Sequence, residues 1–109
     1  MSDERRNERR VPVLVDVLWE GITRKHEART SDLSIGGCFV DTVGQVSEGE
    51  IITLKLRLPA GEWINVESEV TYTYPTIGFG VRFTKLSDAN RKKLEGLINA
   101  ESYRQDNRQ

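Results

Sequence analysis

The chain has 109 residues, of which 30% are charged and 37% hydrophobic, with a formal net charge of -1. That is the size of one ordinary domain with a single modest core, and no global field draws it to nucleic acid or to a membrane. No apolar run approaches the roughly 18 residues that span a bilayer, the start lacks the apolar centre of an export signal, and Cys38 is the only cysteine, so a monomer or weak dimer in the reducing cytoplasm is the expectation.

Residues 1–10 are polar and read as a flexible arginine-rich arm. From Val11 the character changes. Val11, Val13, Val15 and Val17 alternate up to Trp19, which predicts a first strand with Pro12 near its start. Glu20-Gly21 is a turn, and 24–31 is a polar second strand. Asp32 to Gly37 reads as a turn of Asp, Ser and two glycines, and Cys38-Phe39-Val40 as a short third strand. After a loop from Gly44 to Gly49, Ile51 to Leu58 alternates cleanly until Pro59-Ala60-Gly61 breaks it. Trp63 to Tyr74 alternates through Ile64, Val66, Val70 and Tyr72, and Ile77 to Phe83 is the last strand. Six strands with short turns predict a closed or nearly closed antiparallel barrel, a mostly β fold. Ser87 then suits a helix N-cap, followed by Asp88 in the first turn. Leu94, Leu97, Ile98 and Tyr103 mark one helical stripe, with Gly96 an interior cost. The barrel and helix are expected over 11–103, with a frayed tail over 104–109.

Two motifs carry chemistry. Glu4 to Arg10 holds four arginines in seven residues, with Arg6 and Arg10, and equally Arg5 and Arg9, four apart. Guanidinium forks match phosphate oxygens and the Hoogsteen edge of guanine, and they stack on flat bases. The second motif is Asp32-Leu33-Ser34-Ile35-Gly36-Gly37. Asp32 offers acceptors for a guanine N1–H and amine, and Ser34 adds a short hydroxyl. Gly37 leaves room for close approach, and Gly36 is the candidate for a positive φ. Alone, the first is also what a solvated tail looks like, and the second what a self-capped turn looks like. Together, one precedes the first strand and the other follows the second, and in a small barrel those points can face one another.

With these motifs the chain resembles the PilZ domain family, bacterial receptors for cyclic di-GMP. The family hallmarks, Arg-x-x-x-Arg and Asp/Asn-x-Ser-x-x-Gly, read here as Arg6-Asn7-Glu8-Arg9-Arg10 and Asp32-Leu33-Ser34-Ile35-Gly36-Gly37. Ile77-Gly78-Phe79-Gly80-Val81-Arg82-Phe83 is similar to the family's closing strand. The second family arginine usually directly precedes the first strand, which favours Arg6 and Arg10 over Arg5 and Arg9, with Arg5 as an extra basic residue. The resemblance implies a six-stranded PilZ-like barrel with one C-terminal helix. It also implies an arm that folds over cyclic di-GMP, often a stacked dimer of it. Arg5, Arg6 and Arg10 would meet phosphates and guanine edges, Asp32 and Ser34 the guanine polar groups, with Gly36 and Gly37 giving clearance. It implies a stand-alone, non-enzymatic adaptor that acts on a separate effector protein in motility, attachment or exopolysaccharide control.

Other residues carry less. His26, the only histidine, reads as a surface residue, and no constellation has metal spacing. Cys38 reads as a buried core thiol rather than a reactive one. Asp16, Glu20 and Asp41 lack a nucleophile–base arrangement, so neither enzyme nor cofactor is expected beyond the ligand cyclic di-GMP. Trp19 and Trp63 read as core or barrel-end packing, with Trp63 a lesser candidate for a stacking platform. Of Tyr72 and Tyr74, at most one faces the core. The rival readings are a PilZ-like interaction module that binds no nucleotide, and a single-stranded nucleic-acid barrel. The latter lacks the necessary basic, aromatic groove.

Overall fold

In the computed structural model, residues 10–20 and 25–106 are described. The strands are β1 (Asp16–Glu20), β2 (Lys25–Leu33), β3 (Gly37–Asp41), β4 (Ile51–Arg57), β5 (Trp63–Tyr74) and β6 (Gly78–Lys85), followed by helix α1 (Asp88–Asp106). Every neighbouring pair is antiparallel, and the order β1-β2-β3-β6-β5-β4 closes where β4 returns to β1. The expected six-stranded barrel with a C-terminal helix is the fold.

Alternation builds the core. In β4, Ile52, Leu54 and Leu56 point in, while Ile51, Thr53, Lys55 and Arg57 point out. Ile64 and Val66 of β5 and Val17 and Trp19 of β1 face the same interior. Trp19 meets Phe79 edge-on, with centroids 5.1 Å apart and planes at 82°. Burying each such large apolar side chain contributes roughly 1.5–3 kcal/mol.

The first strand starts later than its valine pattern suggests. Pro12 has no N–H to give, and a bulge between Thr30 and Asp32 shifts the register of β2. Residues 11–15 therefore run beside β2 outside the regular ladder. Val11 and Leu33 exchange backbone hydrogen bonds of 2.9 and 3.0 Å. The buried Thr30 hydroxyl accepts from the Val15 N–H at 3.2 Å and donates to the Val13 carbonyl at 2.8 Å.

In α1 the N-cap is Ser87, whose Oγ accepts from the Asn90 N–H at 3.1 Å. Leu94, Ile98 and Ser102 form the buried stripe at a spacing of four, and Leu94 and Ile98 join the barrel core. Tyr103, expected on that stripe, is instead 70% exposed, because the four-residue spacing carries the buried face to Ser102. The helix continues to Asp106, past the expected end at 103. Lys93 Nζ lies 2.6 Å from Glu62 and ties the helix to the β4–β5 turn. No helix among the described residues is long and apolar enough to cross a membrane.

Candidate functional site

The two sequence motifs meet at one place on the barrel's outer face. Arg10 Nη1 donates to Asp32 Oδ1 at 2.8 Å, with side-chain exposures of 50% and 38%. Asp32 was expected in a turn. It sits instead near the end of β2, opposite Phe39 of β3, because the bulge lengthens the strand and turns Asp32 outward while Leu33 points into the core. Arg5, Arg6 and Arg9 lie outside the described residues, and with them the choice between the two arginine registers.

The bend itself is narrower than expected and is organised by Ser34. Its buried Oγ accepts from the N–H groups of Gly36 and Gly37, both at 3.2 Å, and donates to the Gly37 carbonyl at 3.3 Å. The Gly36 carbonyl accepts from the Phe83 N–H at 2.8 Å, which pins the bend to β6. Gly36, the candidate for a positive φ, does not adopt one. Among the described glycines Gly49, Gly61 and Gly78 do. The hydroxyl closes the bend without a left-handed residue. Gly37 has a reason the sequence did not reveal. A Cβ there would sit 2.2 Å from the Val81 carbonyl oxygen, so β3 and β6 could not pack as they do.

Beside Asp32 lies an aromatic group on the barrel's outer face. A bulge between Val70 and Tyr72 inserts Thr71 and resets the alternation of β5. Val70 is buried, and Tyr72 and Tyr74 both point outward, 40% and 55% exposed. Neither faces the core. On the pleated outer surface, Asp32 lies opposite Phe39, Phe39 opposite Gly80, and Gly80 opposite Tyr72. The Phe39 and Tyr72 rings are within 28° of parallel, with centroids 6.0 Å apart. Tyr74 stands against Tyr72 at 70° and 5.5 Å. Glycines of β6 make room beneath them. A Cβ on Gly80 would fall 2.3 Å from the Tyr72 ring, and one on Gly78 2.6 Å from the Phe39 ring. The signal that could have found this floor was present: two glycines alternating in one strand, flanked in the barrel order by strands carrying aromatic residues.

Electrostatics connect the parts. Desolvation holds the Tyr72 hydroxyl above its ordinary pKa. Arg10 pulls it down and Asp32 pushes it up, so both charges act on this ring. Burial drives the inward Cys38 thiol far above its ordinary range, with Asp32 adding to the effect, and its placement is that of a core residue rather than a nucleophile.

Trp63 is elsewhere. It is 41% exposed, with the Arg57 guanidinium 5.9 Å from its ring centre. It borders a shallow depression of about 690 Å³ shared with Leu14, Asp16, Glu27, Arg29 and Asp41. It is thus neither core nor part of the Asp32 face.

A family profile described as the PilZ domain matches residues 4–100. The chain belongs to the PilZ domain family. Solved structures with the same fold include the Bacillus subtilis inhibitor of motility MotI/DgrA, at 21% identity and TM-score 0.76, covering 97% of this chain and 53% of that one. The PilZ domain of YcgR from Escherichia coli, solved with c-di-GMP, matches at 16% identity and TM-score 0.71, covering 94% and 97%. The Borreliella burgdorferi PlzA protein in complex with c-di-GMP matches at 17% and 0.64, covering 87% and 43%. The chain thus spans about half the length of the Bacillus protein. No curated protein gives a significant sequence match. In this PilZ domain, the hallmark Asp-x-Ser-x-x-Gly segment is the end of β2 plus the Ser34 bend, and the arginine preceding the barrel already touches it.

Proposed function

We propose that this PilZ domain is a cyclic di-GMP receptor that passes the signal to a separate effector protein, and that it is not an enzyme. The observation that carries the reading is the Arg10–Asp32 contact at 2.8 Å, which puts one residue of each hallmark motif in the same square of the surface. The solved YcgR and PlzA complexes support the ligand's identity by family. In the proposed complex Arg10, with Arg5 and Arg6 from the arm, meets phosphates and guanine edges. Asp32 accepts from a guanine N1–H and amine. Ser34, Gly36 and Gly37 act one step back, because the Ser34 hydroxyl is spent on the bend that sets Asp32.

The magnitudes favour exchange of the ion pair for ligand. A solvent-exposed pair contributes about 0.2–1 kcal/mol. Charge-assisted bonds to a ligand contribute roughly 1.5–3 kcal/mol each. Ordering a segment costs about 1–2 kcal/mol per residue, and micromolar binding needs about -8 kcal/mol net. Several guanidinium contacts and base stacking are therefore required together, and loss of one is severe. The arm closed over the nucleotide presents a composite surface for an effector in motility, attachment or exopolysaccharide control. Isothermal titration with cyclic di-GMP, with GTP as control, is the test. Micromolar or tighter binding of the first alone supports the reading. No binding leaves a PilZ-like interaction module.

A further inference from the structure

We propose that the outer face of β1 and β2 binds a second copy of this chain. The contact is a two-fold dimer set by a self-complementary row of charges, Arg57, Asp16, Arg29 and Asp41, with Leu14 beside its axis. The proposal is independent of the nucleotide reading and uses none of the hallmark residues.

Three observations point to it. First, β1 and the residues leading into it are apolar on both sides. Val15, Val17 and Trp19 are buried in the barrel. The outward positions, which alternation gives to water, are Leu14, Asp16 and Leu18, and Leu14 is 65% exposed. A strand apolar on both sides suits one that is covered on both sides. Second, this outward stripe lines the depression of about 690 Å³ whose borders include Trp63 and Asp41. The barrel is hollowed there and can receive a partner's side chains. Third, the charges on this face form one row across four strands. Arg57 lies 3.9 Å from Asp16, Asp16 pairs with Arg29 across β1 and β2 at 3.6 Å, and Arg29 stands opposite Asp41 across β2 and β3. The signs alternate along the row and cancel. The side chains of Arg57, Asp16 and Arg29 are all at least half exposed.

The order of the charges selects the occupant. A partner surface of one sign meets as many like charges as opposite ones on this row and gains nothing from it. A second copy, turned about a two-fold axis that runs along the strands between β1 and β2, meets the row in reverse. Asp16 then faces the second copy's Arg29, and Arg29 faces the second copy's Asp16. The outer pair, Arg57 and Asp41, matches in the same way. Such an isologous contact is the commonest association of identical chains. The curvature of the barrel concentrates the contact on the two central pairs. The same axis sets the Leu14 side chains of the two copies beside each other. The charges fix the register, and the leucines supply apolar area at its centre.

The test is the oligomeric state of the full chain in sedimentation velocity, without nucleotide, from about 10 μM to about 1 mM. The variants are Asp16→Arg, Arg29→Asp and Leu14→Ser, each checked for folding by circular dichroism melts. All three sites are on the surface, so the barrel is expected to survive. The wild type is expected to pass from monomer to dimer within that range. Each charge reversal sets like charges against each other in the two-fold contact and is expected to weaken association roughly tenfold or more. Leu14→Ser is expected to weaken it by about tenfold. An equimolar mixture of the Asp16→Arg and Arg29→Asp chains is expected to dimerise again, within about threefold of wild type, because every central contact between the unlike chains pairs opposite signs. Cross-strand pairing within one barrel cannot produce that rescue. A wild type that stays monomeric throughout overturns the proposal and leaves the face to a different protein. A dimer that the reversals do not weaken, or a mixture that stays monomeric, overturns it as well, because the contact then does not use this row.

Discussion

Two faces of the same barrel invite comparison. One carries Trp63, Arg57, Asp16, Arg29 and Asp41. The other carries Arg10, Asp32, Phe39, Tyr72 and Tyr74. Both offer aromatic rings beside charges, and the first borders a depression of about 690 Å³. They differ in how far their groups are already satisfied. On the Trp63 face, Asp16 lies between Arg29 at 3.6 Å and Arg57 at 3.9 Å, and Arg57 also sits over the indole. These side chains project from regular strands, and both arginines pair with Asp16. On the Tyr72 face, the rings pack on one another and over the glycines of β6, and the cation that neutralises Asp32 comes from the stretch ahead of the barrel. On the proposed reading, groups whose partners can be exchanged mark the site better than a hollow does.

The largest expected effect comes from breaking the second face. Arg10→Ala and Asp32→Ala should each lower cyclic di-GMP affinity by about 100-fold or more in calorimetry, since each removes a charge-assisted contact and unbalances the other. Their melting points should move little, because the pair is exposed. Wild-type-like binding by either variant would remove that residue from the site. Next is the bend. Gly37→Ala drives a methyl against the Val81 carbonyl, and a loss of roughly 1–3 kcal/mol in denaturant unfolding is expected from such overpacking. Binding should fall with it, which separates a structural role from a simple clearance role. The control sits on the first face: Trp63→Ala should change cyclic di-GMP affinity by less than about twofold. A loss comparable to that of Asp32→Ala would invert the comparison.

Smaller effects test the interior beneath the faces. The folded Cys38 thiol is held protonated by burial, while in the unfolded chain it ionises near 9.0. Its contribution to stability is therefore complete below pH 9 and declines as pH rises above it. Melts from pH 8 to 10 should fall more steeply for wild type than for Cys38→Val. Equal slopes would show that the thiol is not shielded. The smallest effect belongs to Gly96, where a Cβ would meet nothing within 4 Å. Gly96→Ala should raise stability by about 0.5–1 kcal/mol, with ligand binding unchanged.

Much of this was legible from residues alone. The alternation in Ile51–Arg57 gave a strand and its inner face directly, and Ser87 gave the helix start. The two hallmark motifs led to Arg10 and Asp32. Two of the differences, at Tyr72 and Asp32, share a physical cause. A bulge inserts one residue without any change in composition, so counting by two from Ile64 puts Tyr72 inside when Thr71 has turned it out. The same effect at Thr30 moved Asp32 from a turn into a strand. Gly37 was ambiguous for a different reason: a missing Cβ serves a ligand and a neighbouring strand equally well, and only the cross-strand register tells which. Of the two readings of Trp63, core or barrel-end packing, the core one fails because a large apolar residue at a strand start can stay half exposed beside an arginine.

Closure of the barrel has a consequence for any protein partner. With β4 returned to β1, no strand among the described residues is a free edge of the sheet, so a partner has no edge strand to extend with a strand of its own. It has to recognise side chains instead. In the proposed receptor, that leaves an effector no ligand-independent backbone handhold.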